Sequence, residues 1–109
     1  MRSGDDFRHT IRRGARGAQP TLVTHVVLKH DPHATGGPSS VGFVVSKGVG
    51  SAVDRNRVKR QLRHLMRARV GGLPAGSRVV VRALPAANGA GSATLAEHLD
   101  AALARAGAS

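Results

Sequence analysis

The stretch from Val41 to Arg69, VGFVVSKGVGSAVDRNRVKRQLRHLMRAR, leaves this chain little freedom in how it folds. It opens on a β-branched run, Val41 to Lys47, whose composition suits a strand. Gly48 and Gly50 punctuate a turn, and Ser51 stands where a helix N-cap belongs. From about Ala52 to Arg69 the apolar residues Val58, Leu62, Leu65 and Met66 recur at helical spacing and form one stripe. Asn56, Lys59, Arg60, Arg63 and Arg67 cluster on the opposite side, and Arg55 and Arg57 flank the two faces near the helix start. Eight of the chain's 17 Lys and Arg residues lie in this stretch, against one acid, Asp54. A helix so divided buries its apolar stripe and offers the other side to a polyanion.

The flanking sequence supplies the rest of a small domain. Asp5 or Asp6 opens a short helix on which Phe7, Thr10 and Ile11 share a face, with Gly14 as its stop. Residues 15–20 read as a loop. Thr21 to His30 reads as a strand, with Leu22, Thr24, Val26 and Leu28 on one face and Val23, His25, Val27 and Lys29 on the other. Asp31 to Ser40 is a flexible Pro/Gly/Ser loop, and Gly71-Gly72 with Pro74 ends the basic helix. Ser77 to Leu84 is another strand. Thr94 to Glu97 has the pattern of a capping box, and Leu95, Leu99, Ala102, Leu103 and Ala106 give a last helix its apolar stripe; residues 107–109 are a tail. The order α-β-β-α-β-α, with room for one more short strand near the middle turn, describes a single-domain α+β sandwich over residues 1–109. One sheet has its helices mainly on one side.

Composition narrows the function. The net charge is +11, which favours nucleic acid as partner. Binding to a membrane surface calls for large apolar anchors, and the chain has no Trp or Tyr and only two Phe. No apolar run approaches the ~20 residues of a membrane span. The opening MRSGDDF lacks a signal peptide's apolar stretch, and there is no cysteine, so the expected compartment is the cytoplasm. A two-metal nuclease needs converging carboxylates, but Asp5, Asp6, Asp31, Asp54, Glu97 and Asp100 are scattered, mostly at helix starts. The six His residues are scattered too. The residues describe a binder rather than a catalyst.

Val45-Ser46-Lys47, a Gly turn, then Ala52-Val53-Asp54-Arg55-Asn56-Arg57-Val58-Lys59-Arg60-Gln61-Leu62-Arg63 resembles the signature of the protein subunit of bacterial ribonuclease P. Asp6-Phe7 with Arg13-Gly14, and Leu73-Pro74 before a strand closed by Pro85, extend the likeness over nearly the whole chain. The resemblance implies a fold like the second domain of a small-subunit ribosomal protein, with a left-handed β-α-β crossover against the usual rule. It implies a subunit of a tRNA-processing endoribonuclease whose chemistry belongs to its RNA. The protein, one copy per RNA, would bind that catalytic RNA and the 5′ leader of precursor tRNA, with no role for DNA or membrane. It would hold no cofactor itself, the magnesium of the holoenzyme being held mainly by the RNA.

On this reading Lys47, Arg55, Asn56, Arg57, Lys59, Arg60, Arg63 and Arg67 bind RNA, and Phe7, Ile11, Val23 and His25 line a cleft for the leader. Ile11 stands where the family usually has a second Phe, and His25 where it often has a strand aromatic. Gly48 replaces a common Lys. Arg82 lies one position from the family's usual Arg, where Ala83 now stands; since neighbours on a strand face opposite ways, its access to the cleft is open. A ribosomal or RNA-chaperone protein of the same fold is the alternative.

Overall fold

The computed structural model describes residues 10–12, 14–27, 39–73 and 76–107. Four strands form one mixed sheet: β1 (Ala15–Ala18), β2 (Leu22–Val27), β3 (Ser40–Val45) and β4 (Arg78–Ala83), in the order β1-β2-β4-β3. β1 and β4 run antiparallel to β2, while β3 and β4 are parallel. A parallel pair needs a crossover, here helix α1 (Ala52–Arg67). Helix α2 (Ser92–Arg105) follows β4.

Strand alternation sets what each sheet face does. Leu22 and Val26 of β2 and Val79, Val81 and Ala83 of β4 are buried in one cluster with Val58, Leu62 and Met66 of α1 and Leu95, Leu99, Ala102 and Leu103 of α2. Val41, Phe43 and Val45 of β3 pack against that cluster. Both helices therefore cover the same face, α1 over β3 and α2 over β1 and β2. The opposite face carries Val23, His25, Val80 and Arg82, with Arg16 and Ala18 of β1 beside them in register.

The helix ends have local causes. The Ser51 hydroxyl accepts a hydrogen bond from the Asp54 N–H at 3.2 Å, and the Asp54 carboxylate accepts one from the Ser51 N–H at 3.2 Å, a complete capping box. At the other end of α1, Arg69 grips both carboxylate oxygens of Asp100 on α2, at 2.6 and 3.1 Å. The pair holds the Asp100 carboxyl below the usual carboxylate range.

Several boundaries differ from the sequence expectation. The additional strand is β1, within the stretch expected to be a loop, and not near the middle turn. Ala-Arg-Gly-Ala lacks β-branched residues, yet its small side chains are what the site requires: a Cβ on Gly17 would overlap the Ala102 carbonyl of α2. Gln19 N–H bonds the Leu22 carbonyl at 2.8 Å and closes the hairpin. β3 begins at Ser40 and stops at Val45, so Lys47 opens a single 3₁₀ turn, Lys47–Val49, rather than ending the strand. Helix α2 begins two residues before Thr94, on Gly91 (φ 85°) with no side-chain cap, so Thr94 and Glu97 lie inside the helix and form no box. Residues 10–12 are helical and Gly14 N–H bonds the Thr10 carbonyl, as the expected first helix and its Gly stop require. The remainder of that helix, residues 28–30 of the expected second strand, residues 31–38 of the expected loop, Pro74 and residues 108–109 of the tail lie outside the described residues.

Candidate nucleic-acid interface

Helix α1 sorts its polar residues by rotation. Residues four apart share a face, so Arg55, Lys59, Arg63 and Arg67 form one row along the side that meets β3. Arg55, Asn56 and Lys59 line a cavity of about 410 Å³ with Phe43, Val44, Val45 and Ala52. Arg63 and Arg67 line a second, of about 310 Å³, with Val41, Phe43, Met66 and Val70. Asn56, Lys59, Arg60 and Arg63 surround a third hollow of about 290 Å³ on the outward side. Asn56, Arg57, Lys59, Arg60, Arg63 and Arg67 are exposed; Arg55 is half-buried, with its Nε buried and unpaired. Lys47 is exposed in the turn before the helix. Seven of the eight expected RNA-binding residues thus lie on one helix, and Lys47 lies at its approach.

Arg57 lies outside that row and differs from its cations in being held by side-chain partners. Its Nη2 donates to Asp54 Oδ1 at 2.9 Å and to Asn88 Oδ1 at 2.6 Å, in the loop before α2. Asn88 Nδ2 in turn donates to the Val49 carbonyl at 3.0 Å. Asp54 is therefore both a capping partner and an arginine holder. Bonds from Ser51, then Arg57, hold its carboxyl below the usual range. Gly50, at φ 153°, permits this cluster, because a Cβ there would come within 2.7 Å of Asp54 Oδ2 and 2.8 Å of Asn88 Nδ2. Asn88 is a residue that sequence reasoning missed, since a small-residue loop 31 positions away gives no sign of reaching the helix.

The expected leader cleft falls on the other sheet face. Val23 and His25 are buried there and Ile11 is half-buried; Phe7 lies outside the described residues. His25 is 4% exposed, and neither ring nitrogen has a hydrogen-bond partner. Burial, then the charges of Arg82 and Arg16, lower its pKa below the ordinary value, so the ring is held neutral. Strand register resolves the position of Arg82. It stands opposite Val23 and shares that face with His25, whereas Ala83 points into the core. Arg16, opposite His25 on β1, joins them. Sequence reasoning missed Arg16 because its strand read as a loop.

Among the described residues no three His, Cys, Asp or Glu side chains gather as a metal-binding group, and no helix is long and apolar enough to cross a membrane. The described acids near the basic helix are engaged in the capping box and the Arg69 pair.

Comparison with known proteins places these features in context. The sequence profile of the ribonuclease P family matches residues 1–107. The ribonuclease P protein component of Streptomyces avermitilis is 57% identical over 109 residues, covering 96% of this chain and 89% of the relative. That of Mycobacterium avium is 43% identical over 105 residues, covering 96% and 88%. In three dimensions the fold is similar to the ribonuclease P protein of Staphylococcus aureus, with a TM-score of 0.83 at 21% identity over 99% of this chain and 94% of that one. It is also similar to that of Thermotoga maritima, with a TM-score of 0.73 at 24% identity over 91% and 89%.

Proposed function

The chain belongs to the ribonuclease P protein family, and from that premise we propose that it works on two RNAs at once: the catalytic RNA along α1, and the single-stranded 5′ leader of precursor tRNA on the opposite sheet face. The observation that carries this reading is the division of the molecule into two unlike basic surfaces. The α1 surface is an exposed row of cations suited to neutralising successive phosphates, each contact releasing counterions. On the other face the exposed Arg16 and the half-buried Arg82 stand beside Val23 and His25, whose side chains are buried. Cations that hold the backbone, with a ring such as Phe7 to stack on, tolerate any base, as a leader of variable sequence requires.

The division of labour follows from the side chains. Arg55, Lys59, Arg60, Arg63 and Arg67 bind and orient the catalytic RNA; Arg57, held by Asp54 and Asn88, presents a guanidinium already fixed in direction. Arg82 and Ile11 hold the leader, with Phe7 as the stacking ring, and the buried Val23 and His25 support that face from beneath. Magnesium supplies the hydrolytic chemistry when bound to the RNA.

The test is cleavage of a precursor tRNA by bacterial ribonuclease P RNA at low magnesium, with and without this protein. Stimulated cleavage at the mature 5′ end is expected. An RNA that binds the protein yet is not stimulated would leave an RNA-binding protein of ribosomal or chaperone type.

A further inference from the structure

The groove between α1 and the outer edge of β3 has a feature that phosphate binding alone does not use. Among the described residues β3 is the last strand of the sheet and pairs with β4 alone. Phe43, at its centre, packs on the core yet lines both the 410 Å³ and the 310 Å³ cavities. Phe43 is thus the residue common to two hollows that follow one another along the helix. The floor of the second is apolar, formed with Val41, Met66 and Val70, and its rim carries Arg63 and Arg67. Toward the helix start lies the buried, unpaired Nε of Arg55. A buried donor without an acceptor is costly, and an RNA oxygen would satisfy it.

We propose that this groove holds an unpaired nucleotide of the catalytic RNA, its base laid against Phe43 and its backbone along the row Arg55, Lys59, Arg63 and Arg67. The inference rests on the reading that α1 faces the catalytic RNA. Charge selects the occupant. Among the described residues no acid lines either cavity, so an apolar peptide would leave four cations uncompensated, and a second copy of a chain with net charge +11 would add to them. A polyanion with a flat apolar part satisfies the cations and the floor together. The groove lies in the angle between a strand edge and a helix, and an unpaired base can enter it where a duplex cannot. Stacking of such a base on an aromatic ring, with cations tracking the backbone, is how single-stranded nucleic acid is held elsewhere.

The chain contains no Trp or Tyr, so Phe43→Trp places a lone indole at the proposed stacking site. Saturating catalytic RNA is expected to quench its emission, and precursor tRNA alone to leave it unchanged. Phe43→Leu, which keeps an apolar side chain, is expected to weaken catalytic-RNA binding by about five- to 150-fold, the range for loss of one stacked base. The dependence of affinity on salt should stay the same, because no cation is lost. An indole indifferent to bound RNA overturns the proposal, as does a Leu variant that binds like the parent. Quenching by precursor tRNA alone overturns it too, by giving the groove to the substrate. If Phe43→Leu melts early, the indole readout stands by itself. Stimulation of cleavage by the unaltered protein decides the underlying reading separately, since a protein that stimulates while its indole is not quenched loses only the groove.

Discussion

His25 shows at the scale of one residue how position on a strand changes chemistry. Read from the sequence, it was a flat ring in place of an aromatic; its parity on β2 correctly assigned it to the face with Val23. The sequence could not show that Arg16 and Arg82 flank it, because that depends on register across three strands. Their charge and the burial of the ring lower its pKa. In the unfolded chain the imidazole takes up a proton near its ordinary pKa of about 6.5, while in the folded protein it stays neutral until lower pH. Between those two values the unfolded state binds more protons, so stability falls as pH drops below about 6.5 and levels off beneath the folded pKa. His25→Phe should flatten this part of the profile. Melting curves from pH 8 to 5 on both proteins measure it, and parallel losses of stability would show that His25 is not the source.

At the scale of elements, the start and the stripe of α1 were readable because the apolar spacing and the Ser51 cap agree; its end was not, since the helix stops at Arg67 with Ala68 as C-cap and Gly71-Gly72 belong to a following 3₁₀ turn, Val70–Gly72. Replacing Ser51 by Ala removes the cap and should cost about 1 kcal/mol, or roughly 4–8 °C in melting temperature; calorimetry reads it directly. Strand β1 and the start of α2 were not readable. β1 is fixed by its pairing with β2 and by the closeness of Gly17 to α2, and α2 starts on a bare glycine. Both are tertiary facts that override local propensity. The bond from Arg57 to Asn88 is of the same kind and makes its own prediction. Asn88→Ala leaves every cation in place but loosens Arg57, so catalytic-RNA affinity should fall by about two- to 13-fold, the equivalent of one net hydrogen bond, with an unchanged salt slope. Arg57→Gln should reduce that slope by about one. Titrations at several salt concentrations separate the two, and identical slopes in both variants would remove Arg57 from the phosphate contacts.

For the whole molecule, the sheet is a partition. The helices cover one face and carry the row of cations, while Val23, His25 and Arg82 occupy the other, and β4 contributes to both: Val79 and Val81 to the core, Arg82 to the far side. The sequence anticipated both residue sets but not that one four-stranded layer keeps them apart, since strand order β1-β2-β4-β3 follows from a crossover and not from adjacency in the chain. Groups so separated share no partner, and the effects of changing them should add. Arg63→Gln should weaken catalytic-RNA binding and leave the preference for substrate with a leader over mature tRNA intact. Arg82→Gln should narrow that preference and leave catalytic-RNA binding intact. In the double variant each quantity should show only its own single-variant loss, to within about 0.5 kcal/mol. A larger departure would mean that the two RNAs meet the protein as one continuous surface wrapping the edge of the sheet, with the leader and the catalytic RNA in contact there.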